Sequence, residues 1–185
     1  MRKTSSPSKS NPPSPEELQS ALDQVSDSFQ QDSTRTYLLD DLWTLHDVSK
    51  GLVQLFSLPQ FLLKFAIGKN MIEVVFNPRS PVYRIINWQK SPNMGLYHAS
   101  ILKTEFSDLL KERWMQATLG RLKRYPHFQE AWEYVDKNSP IDYTAPTART
   151  ITISSDDTET EVIFKREKLQ GHPRFYIIEF TPTGG

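Results

Sequence analysis

Histidine is the side chain best suited to acid–base chemistry near neutral pH, and this sequence carries four, His46, His98, His127 and His172. One of them, His46, follows the carboxylates of Asp40 and Asp41 closely. Neither the His-x-x-x-His nor the His-Glu-x-x-His spacing of a metal site occurs. We therefore favour structural or surface roles for the histidines. A cofactor-free enzyme or small-ligand binder built around His46 or His98 is the third hypothesis, after the two below.

Other common catalytic and binding motifs are missing. The seven glycines form no phosphate-binding loop, and no Gly-x-Ser-x-Gly nucleophile turn is present. The absence of cysteine excludes disulfides, thiolate metal sites and a cysteine nucleophile. An acidic run lacks the spacing of a calcium loop and favours a hydrated hairpin tip at Asp156, Asp157, Glu159 and Glu161. The sequence thus predicts no enzyme, no cofactor and no metal.

A basic segment in the middle of the chain is the strongest sign of a ligand. Residues 101–125 carry six basic and three acidic side chains. On a helix, Met115 and Leu119 fall on one side and the arginines fall roughly opposite, which suits contact with a phosphate backbone. The same charges near a helix C-terminus also complement the helix dipole, and we favour that interpretation. The candidate nucleic-acid contacts are Arg113, Arg121, Lys123, Arg124 and Tyr125.

These residues must be positioned by a fold that begins with an amphipathic arm. Ser14, Pro15 and Glu17 form the start signal of a helix, with a capping serine and a capping box. The helix is predicted to run to about Phe29 and to be followed by a polar linker, so the arm and linker occupy 15–36. We expect its narrow apolar stripe to dock in a groove on its own domain, a second copy or another protein through Leu18, Leu22, Val25 and Phe29.

The residues before the arm differ sharply in composition. The first fifteen contain five serines, four prolines and no aromatic residue, which predicts a disordered tail over 1–14. Ser6 and Ser14 each precede proline and are candidate phosphorylation sites, although a passive solubilising tail is the favoured interpretation. Because neither a secretory signal nor a membrane span is evident, we expect an intracellular, by default cytoplasmic, location.

Periodicity in residues 37–182 predicts a single α+β domain, in which helices pack on one face of an antiparallel sheet. Helices are predicted at 37–57, 59–68, 104–125 and 126–136. Extended segments are predicted as a hairpin of 71–76 with 82–88, as a strand at 95–102, and as a C-terminal meander of 150–154, 161–165 and 174–181.

Two functions follow from these patterns. The leading hypothesis is a non-enzymatic protein-interaction or assembly module, such as an adaptor or structural protein, that binds a partner or self-associates through its arm. The alternative is a nucleic-acid-binding protein that uses the basic helix. Acidic and basic residues number 22 each, so the net charge is zero, but the basic helix beside an acidic C-terminal part predicts a dipolar molecule.

Overall fold

The computed structural model describes residues 11–155 and 158–184 of the chain. Within these ranges eight α-helices form: α1 Pro15–Phe29, α2 Lys50–Leu55, α3 Gln60–Ala66, α4 Met71–Phe76, α5 Pro81–Ile85, α6 Met94–Thr104, α7 Arg113–Leu122 and α8 Pro126–Asn138. The five strands are β1 Thr36–Asp40, β2 Leu45–Val48, β3 Thr150–Ser155, β4 Thr158–Leu169 and β5 His172–Pro182. Two 3₁₀ turns lie at Leu109–Lys111 and Pro146–Arg149. Most of the predicted tail, and Asp156 and Asp157 of the predicted hairpin tip, lie outside the described residues.

The strands form one antiparallel sheet in the order β2-β1-β5-β4-β3, which confirms the predicted α+β class. The last three strands make the predicted C-terminal meander. Gly171, at φ 79°, provides the left-handed residue of the tight turn between β4 and β5. Strand β1 then pairs with β5, from Thr36 opposite Glu179 to Asp40 opposite Phe175. Strand β1 thus joins the C-terminal meander to β2, which lies far away in sequence.

The predicted helix at 37–57 is wrong, because this segment forms β1, β2 and only the short α2. The Oδ1 atom of Asp40 accepts hydrogen bonds from the backbone N–H groups of Leu42 and Thr44, and Trp43 between them adopts φ 65°. This turn reverses the chain between the two strands. Pairing with β5 also buries Leu38 and Leu39 on opposite faces of the sheet, and this tertiary pairing outweighs local helical periodicity.

The predicted hairpin of 71–76 and 82–88 is also wrong, because these segments contain α4 and α5. Asn70 caps α4 by accepting from the N–H groups of Ile72 and Glu73, and Ser80 caps α5 by accepting from that of Val82. Five of the six residues of α4 are buried. A short apolar run that is buried almost all round has no clear period, so its β-branched residues suggested a strand.

Residues 95–102 belong to α6 and not to the predicted strand. Eight of the eleven residues of α6 are buried, since this helix lies in the middle of the helical layer. Gly95 allows α8 to approach closely, because a Cβ atom there would lie 2.7 Å from the carbonyl oxygen of His127. The predicted helix over 104–125 is interrupted by a 3₁₀ turn and by extended Glu112, so α7 begins only at Arg113. The helices predicted at 59–68 and 126–136 are confirmed as α3 and α8.

The sheet separates two apolar clusters. Helices α2 to α8 cover one face and, with the strands, bury a cluster of 32 residues among those described. Helix α1 lies on the opposite face, where Ala21, Val25 and Phe29 pack with Leu38, Leu169 and Phe175. The prediction of helices on one face therefore holds for the domain, while the arm covers the other face.

Candidate interaction surface

Helix α3 and the residue after it carry an unusual apolar exposure. Of the three large apolar side chains that the described ranges expose, Phe61 is 63% and Ile67 44% exposed, and the third is Tyr134 on α8. Phe65 lies four residues after Phe61 on the same helical face and is half-buried, with Lys69 Nζ 3.7 Å from its ring centroid. We call Phe61, Phe65 and Ile67 the α3 surface. Large exposed apolar side chains that form a patch are typical of interaction sites.

The inner side of α3 covers an apolar cavity of about 100 Å³. Leu62 and Ala66 line it from the helix, and Tyr37 and Phe180 line it from the sheet. Burial, with a further contribution from Tyr97, raises the pKa of the Tyr37 phenol. A cavity beneath a seven-residue helix means that α3 packs incompletely on the domain. The helix is therefore suited to adjusting its position against a partner.

The α3 surface was missed in the sequence, although a signal for it exists. Six of the nine residues from Pro59 to Ile67 are apolar: Phe61, Leu62, Leu63, Phe65, Ala66 and Ile67. A two-turn helix can bury only one face against a domain, so a run this apolar must leave some of these side chains outside. Having more apolar residues than one helical face can bury predicts that some of them are exposed.

The arm helix begins as predicted, with a complete capping box. The N–H of Glu17 donates to Ser14 Oγ, and Glu17 Oε2 accepts from the N–H of Ser14 at 2.7 Å. Of the predicted contact residues, Val25 and Phe29 are buried against the sheet of the same chain. The other two, Leu18 and Leu22, are partly buried at the edge of that cluster. Of the three grooves considered for the arm, the one on its own domain is thus occupied.

The linker after α1 lies tightly against the start of α2. Ser49 Oγ donates to the carbonyl oxygen of Thr34 at 2.7 Å and accepts from the N–H of Thr36 at 2.8 Å. Lys50 pairs with Asp32 across the same contact. At Gly51 an added Cβ would lie 2.3 Å from the carbonyl oxygens of both Asp32 and Thr34. Only glycine at this position therefore permits the observed path of the linker.

An arginine on β5 ties the start of the arm to the sheet. The Arg174 guanidinium donates to both carboxylate oxygens of Asp41 at 3.0 Å and also to the carbonyl oxygen of Asn11. Glu17 lies 3.9 Å away. The bond to Asp41 raises the pKa of Arg174, so the guanidinium remains charged. The segment that precedes α1 is thus held at the same face as α1 itself.

The five predicted nucleic-acid contacts do not form one continuous basic surface. Arg113 and Arg124 are exposed, but one begins α7 and the other follows its end, and the helix is roughly 15 Å long at 1.5 Å per residue. Arg121 pairs with Glu73 of α4, and Lys123 is exposed with its Nζ 4.9 Å from the Trp132 ring centroid. The fifth residue is Tyr125, which is half-buried against the main core. Three of the five, Arg113, Lys123 and Arg124, are thus positioned to meet a ligand in solution.

The two histidines singled out from sequence serve the packing. Nε2 of His46 is 2.9 Å from Asp40 Oδ2, and Asp40 in turn organises the β1–β2 turn. His98 is buried among aromatic rings and donates from Nδ1 to the carbonyl oxygen of Met94 at 2.8 Å. Burial lowers the pKa of His98 to about 4, so its imidazole is neutral at physiological pH. Neither His46 nor His98 lines any of five cavities formed by the described residues.

Comparison of the chain with models of known protein families matches none of them, and comparison with curated proteins finds no similar chain. Among the described residues, no helix combines the length and apolar character needed to cross a membrane. Any function must therefore be argued from the surfaces of this molecule.

Proposed function

We propose that the chain is a non-enzymatic assembly module that associates with a second copy of itself through the α3 surface. The exposure of Phe61 and Ile67 on and beside one short helix is the observation that carries this proposal. Large apolar side chains grouped on a surface are stabilised when a partner removes them from water. The placement of His46 and His98 in the packing supports a role in binding over a role in catalysis.

Three further properties favour a second copy as the partner. The 22 acidic and 22 basic side chains cancel, so two copies do not repel each other through net charge. The apolar stripe of the arm already packs on its own sheet, whereas Phe61 and Ile67 of the α3 surface remain exposed to solvent. The cavity under α3 gives the helix room to adjust when two copies meet.

Sedimentation velocity across about 1 to 100 µM protein, a range that spans weak to moderate dimers, tests the proposal. We expect the mass of the full chain to rise with concentration. The double substitution Phe61→Asp with Ile67→Asp should leave only monomer, because two carboxylates would have to be buried at the contact. Tyr134→Asp changes the third exposed apolar residue and is the matched control, so it should assemble like the unchanged chain.

A single species of monomer mass throughout this range would contradict the proposal. So would a double variant that assembles as well as the unchanged chain. Far-ultraviolet circular dichroism of each variant must be superimposable, since both changed side chains are exposed and their replacement should not unfold the domain.

Nucleic-acid binding is the second candidate function, and the exposure of Arg113, Lys123 and Arg124 is the observation that favours it. It predicts affinity for labelled RNA or DNA that falls steeply between low and physiological salt. Changing Lys123 and Arg124 to glutamate should abolish that affinity, as measured by fluorescence anisotropy. Absence of binding even at low salt would eliminate this candidate and leave the assembly proposal unaffected.

A further inference from the structure

A second site lies on the side of the helical layer that faces β4. Here a cleft of about 260 Å³ opens between α6, the segment after α8, the 3₁₀ turn before β3, and β4. Its walls combine three cations, one carboxylate and two phenols, contributed by Arg149, Lys165, Arg166, Glu105, Tyr97 and Tyr143. We call it the arginine–tyrosine cleft. It shares no lining residue with the α3 surface.

The cleft is built from elements that the packing fixes. Tyr97, Ile101 and Glu105 follow one another at four-residue intervals and so form one stripe of α6 that lines the cleft. The rings of Tyr97 and Tyr143 meet edge to face, with centroids 6.2 Å apart. Tyr97 also packs edge to face on Phe164 of β4, at 4.8 Å. Four segments distant in sequence therefore converge on a preformed wall.

Arg166 is the most firmly held of the three cations. Its guanidinium lies 4.7 Å from the ring centroid of Tyr176 and 5.2 Å from that of Phe106, and it pairs with Glu105. The Arg166 side chain is only 11% exposed. A guanidinium held by rings and one carboxylate keeps a fixed orientation and is a preorganised anion contact.

Arg149 differs from Arg166 because no paired carboxylate holds its guanidinium. No ion pair involves it within 11–155 and 158–184, and its Nη1 makes one long hydrogen bond of 3.4 Å to the carbonyl oxygen of Phe164. Its Nε atom is buried and has no hydrogen-bond acceptor. A buried N–H group without an acceptor is unfavourable.

Both arginines influence the phenol of Tyr97. Burial raises the pKa of Tyr97 to about 12, Arg166 and Arg149 oppose that rise, and Glu105 and Tyr143 add to it. The phenol is therefore protonated at neutral pH and keeps its hydrogen-bonding proton. Asp142 beside the cleft is bonded to Thr144, and Arg149 helps to lower the pKa of its carboxyl. Lys165 pairs with Glu167, so Arg149 is the one cleft cation without an ion pair among the described residues.

We propose that the arginine–tyrosine cleft binds a phosphate monoester. A phosphate monoester carries close to two negative charges near pH 7 and several acceptor oxygens, which suit a cleft lined by two guanidinium groups and a lysine. The Arg149 guanidinium donates to one of these oxygens, while the phenol walls contact the organic group. A carboxylate offers fewer acceptor oxygens to these three cationic side chains.

Isothermal titration calorimetry of the full chain with three probes tests the site and separates the possible sources of the group. Inorganic phosphate tests the bare anion, phosphotyrosine a phosphorylated side chain, and adenosine monophosphate a nucleotide. We expect at least one to bind, and more tightly at pH 7.5 than at pH 5.5, since the second phosphate proton dissociates near pH 6. Unphosphorylated tyrosine should not bind.

Arg149→Gln should weaken the affinity by roughly ten- to a hundredfold, the range for a lost charge-assisted hydrogen bond. Arg113→Gln removes an exposed arginine on α7 and should leave the affinity unchanged. If Arg149→Gln perturbs folding, Lys165→Gln at the exposed rim gives the same test, with a smaller expected loss of about threefold.

Two results would overturn the proposal. One is failure of all three phosphate probes to bind at millimolar concentration to the folded chain. The other is binding that Arg149→Gln and Lys165→Gln leave unchanged, because the anion would then lie elsewhere. Neither result bears on self-association through the α3 surface, which is measured without any of these probes.

Discussion

The two faces of the sheet are packed in different ways. On one, α2 to α8 and the strands bury a continuous cluster of 32 of the described residues, including three phenylalanines and two tryptophans that make ring contacts within it. On the other, a single helix buries six, and it is held at its ends by the Ser49 contacts of the linker and by Arg174. The comparison indicates that the first face determines global stability. We expect α1 on the second face to detach without unfolding the rest of the domain.

The largest expected effect is the loss of stability when a buried ring is removed from the first face. Phe76 is fully buried, and its ring contacts those of Phe128 and His98 with centroids 5.3 Å apart. Phe76→Ala should lower the free energy of unfolding by about 3 to 5 kcal/mol, because it removes the ring and leaves a cavity. Urea denaturation followed by tryptophan fluorescence measures this change. Phe61→Ala, the exposed counterpart, should change the free energy by less than about 0.5 kcal/mol.

Acid should weaken the same face through His98. Burial, assisted by the charge of Arg166, holds the pKa of His98 at about 4, whereas the bond to Met94 opposes this shift. The unfolded chain therefore binds a proton below about pH 6.5 that the folded chain does not bind until about pH 4. The folded state therefore has its full stability above about pH 6.5, and it loses stability as the pH falls from there toward about pH 4.

This effect amounts to about 2 kcal/mol between pH 7 and pH 5, at about 1.4 kcal/mol per pH unit below the unfolded pKa. Denaturation curves at both pH values measure it. His98→Gln removes the titrating group, so its dependence on pH over this interval should be flatter by that amount. Equal dependence in both proteins would show that another group is responsible.

A smaller effect should be confined to the second face. Val25→Ala removes two buried carbons from the arm cluster and should destabilise the docking of α1 by about 1.5 kcal/mol. Hydrogen–deuterium exchange should show faster exchange of the amides of α1, while those of α8 keep their protection. Equally faster exchange in both helices would mean that the two faces unfold together, which would contradict separate detachment of α1.

The smallest effect concerns the start of the arm. Ser14→Ala removes the side chain that caps α1 and should cost about 1 kcal/mol of helix stability. Exchange of the amides in the first turn should accelerate most. Ser20→Ala, at an exposed position inside the same helix, is the control and should not accelerate exchange.

The elements that the sequence predicted well are those whose signals are local. The capping box at Ser14 and the glycine turn at Gly171 need no distant partner, so α1 and the β4–β5 hairpin were found. Segments 37–57 and 71–102 failed because their structure depends on pairing with β5 and on burial within the helical layer. Residues such as Arg149 and Tyr97 are 52 positions apart, so no local pattern relates them.

Gly51 has a consequence for how this sequence is able to vary. Because any Cβ atom there would collide with two linker carbonyls, every other amino acid at this position forces the linker and the arm to a new path. Replacing Gly51 by every other amino acid and selecting for growth therefore tests whether the cell needs the docked arm. If all nineteen replacements support growth, the docked arm is dispensable. If only glycine supports growth, the cell requires it.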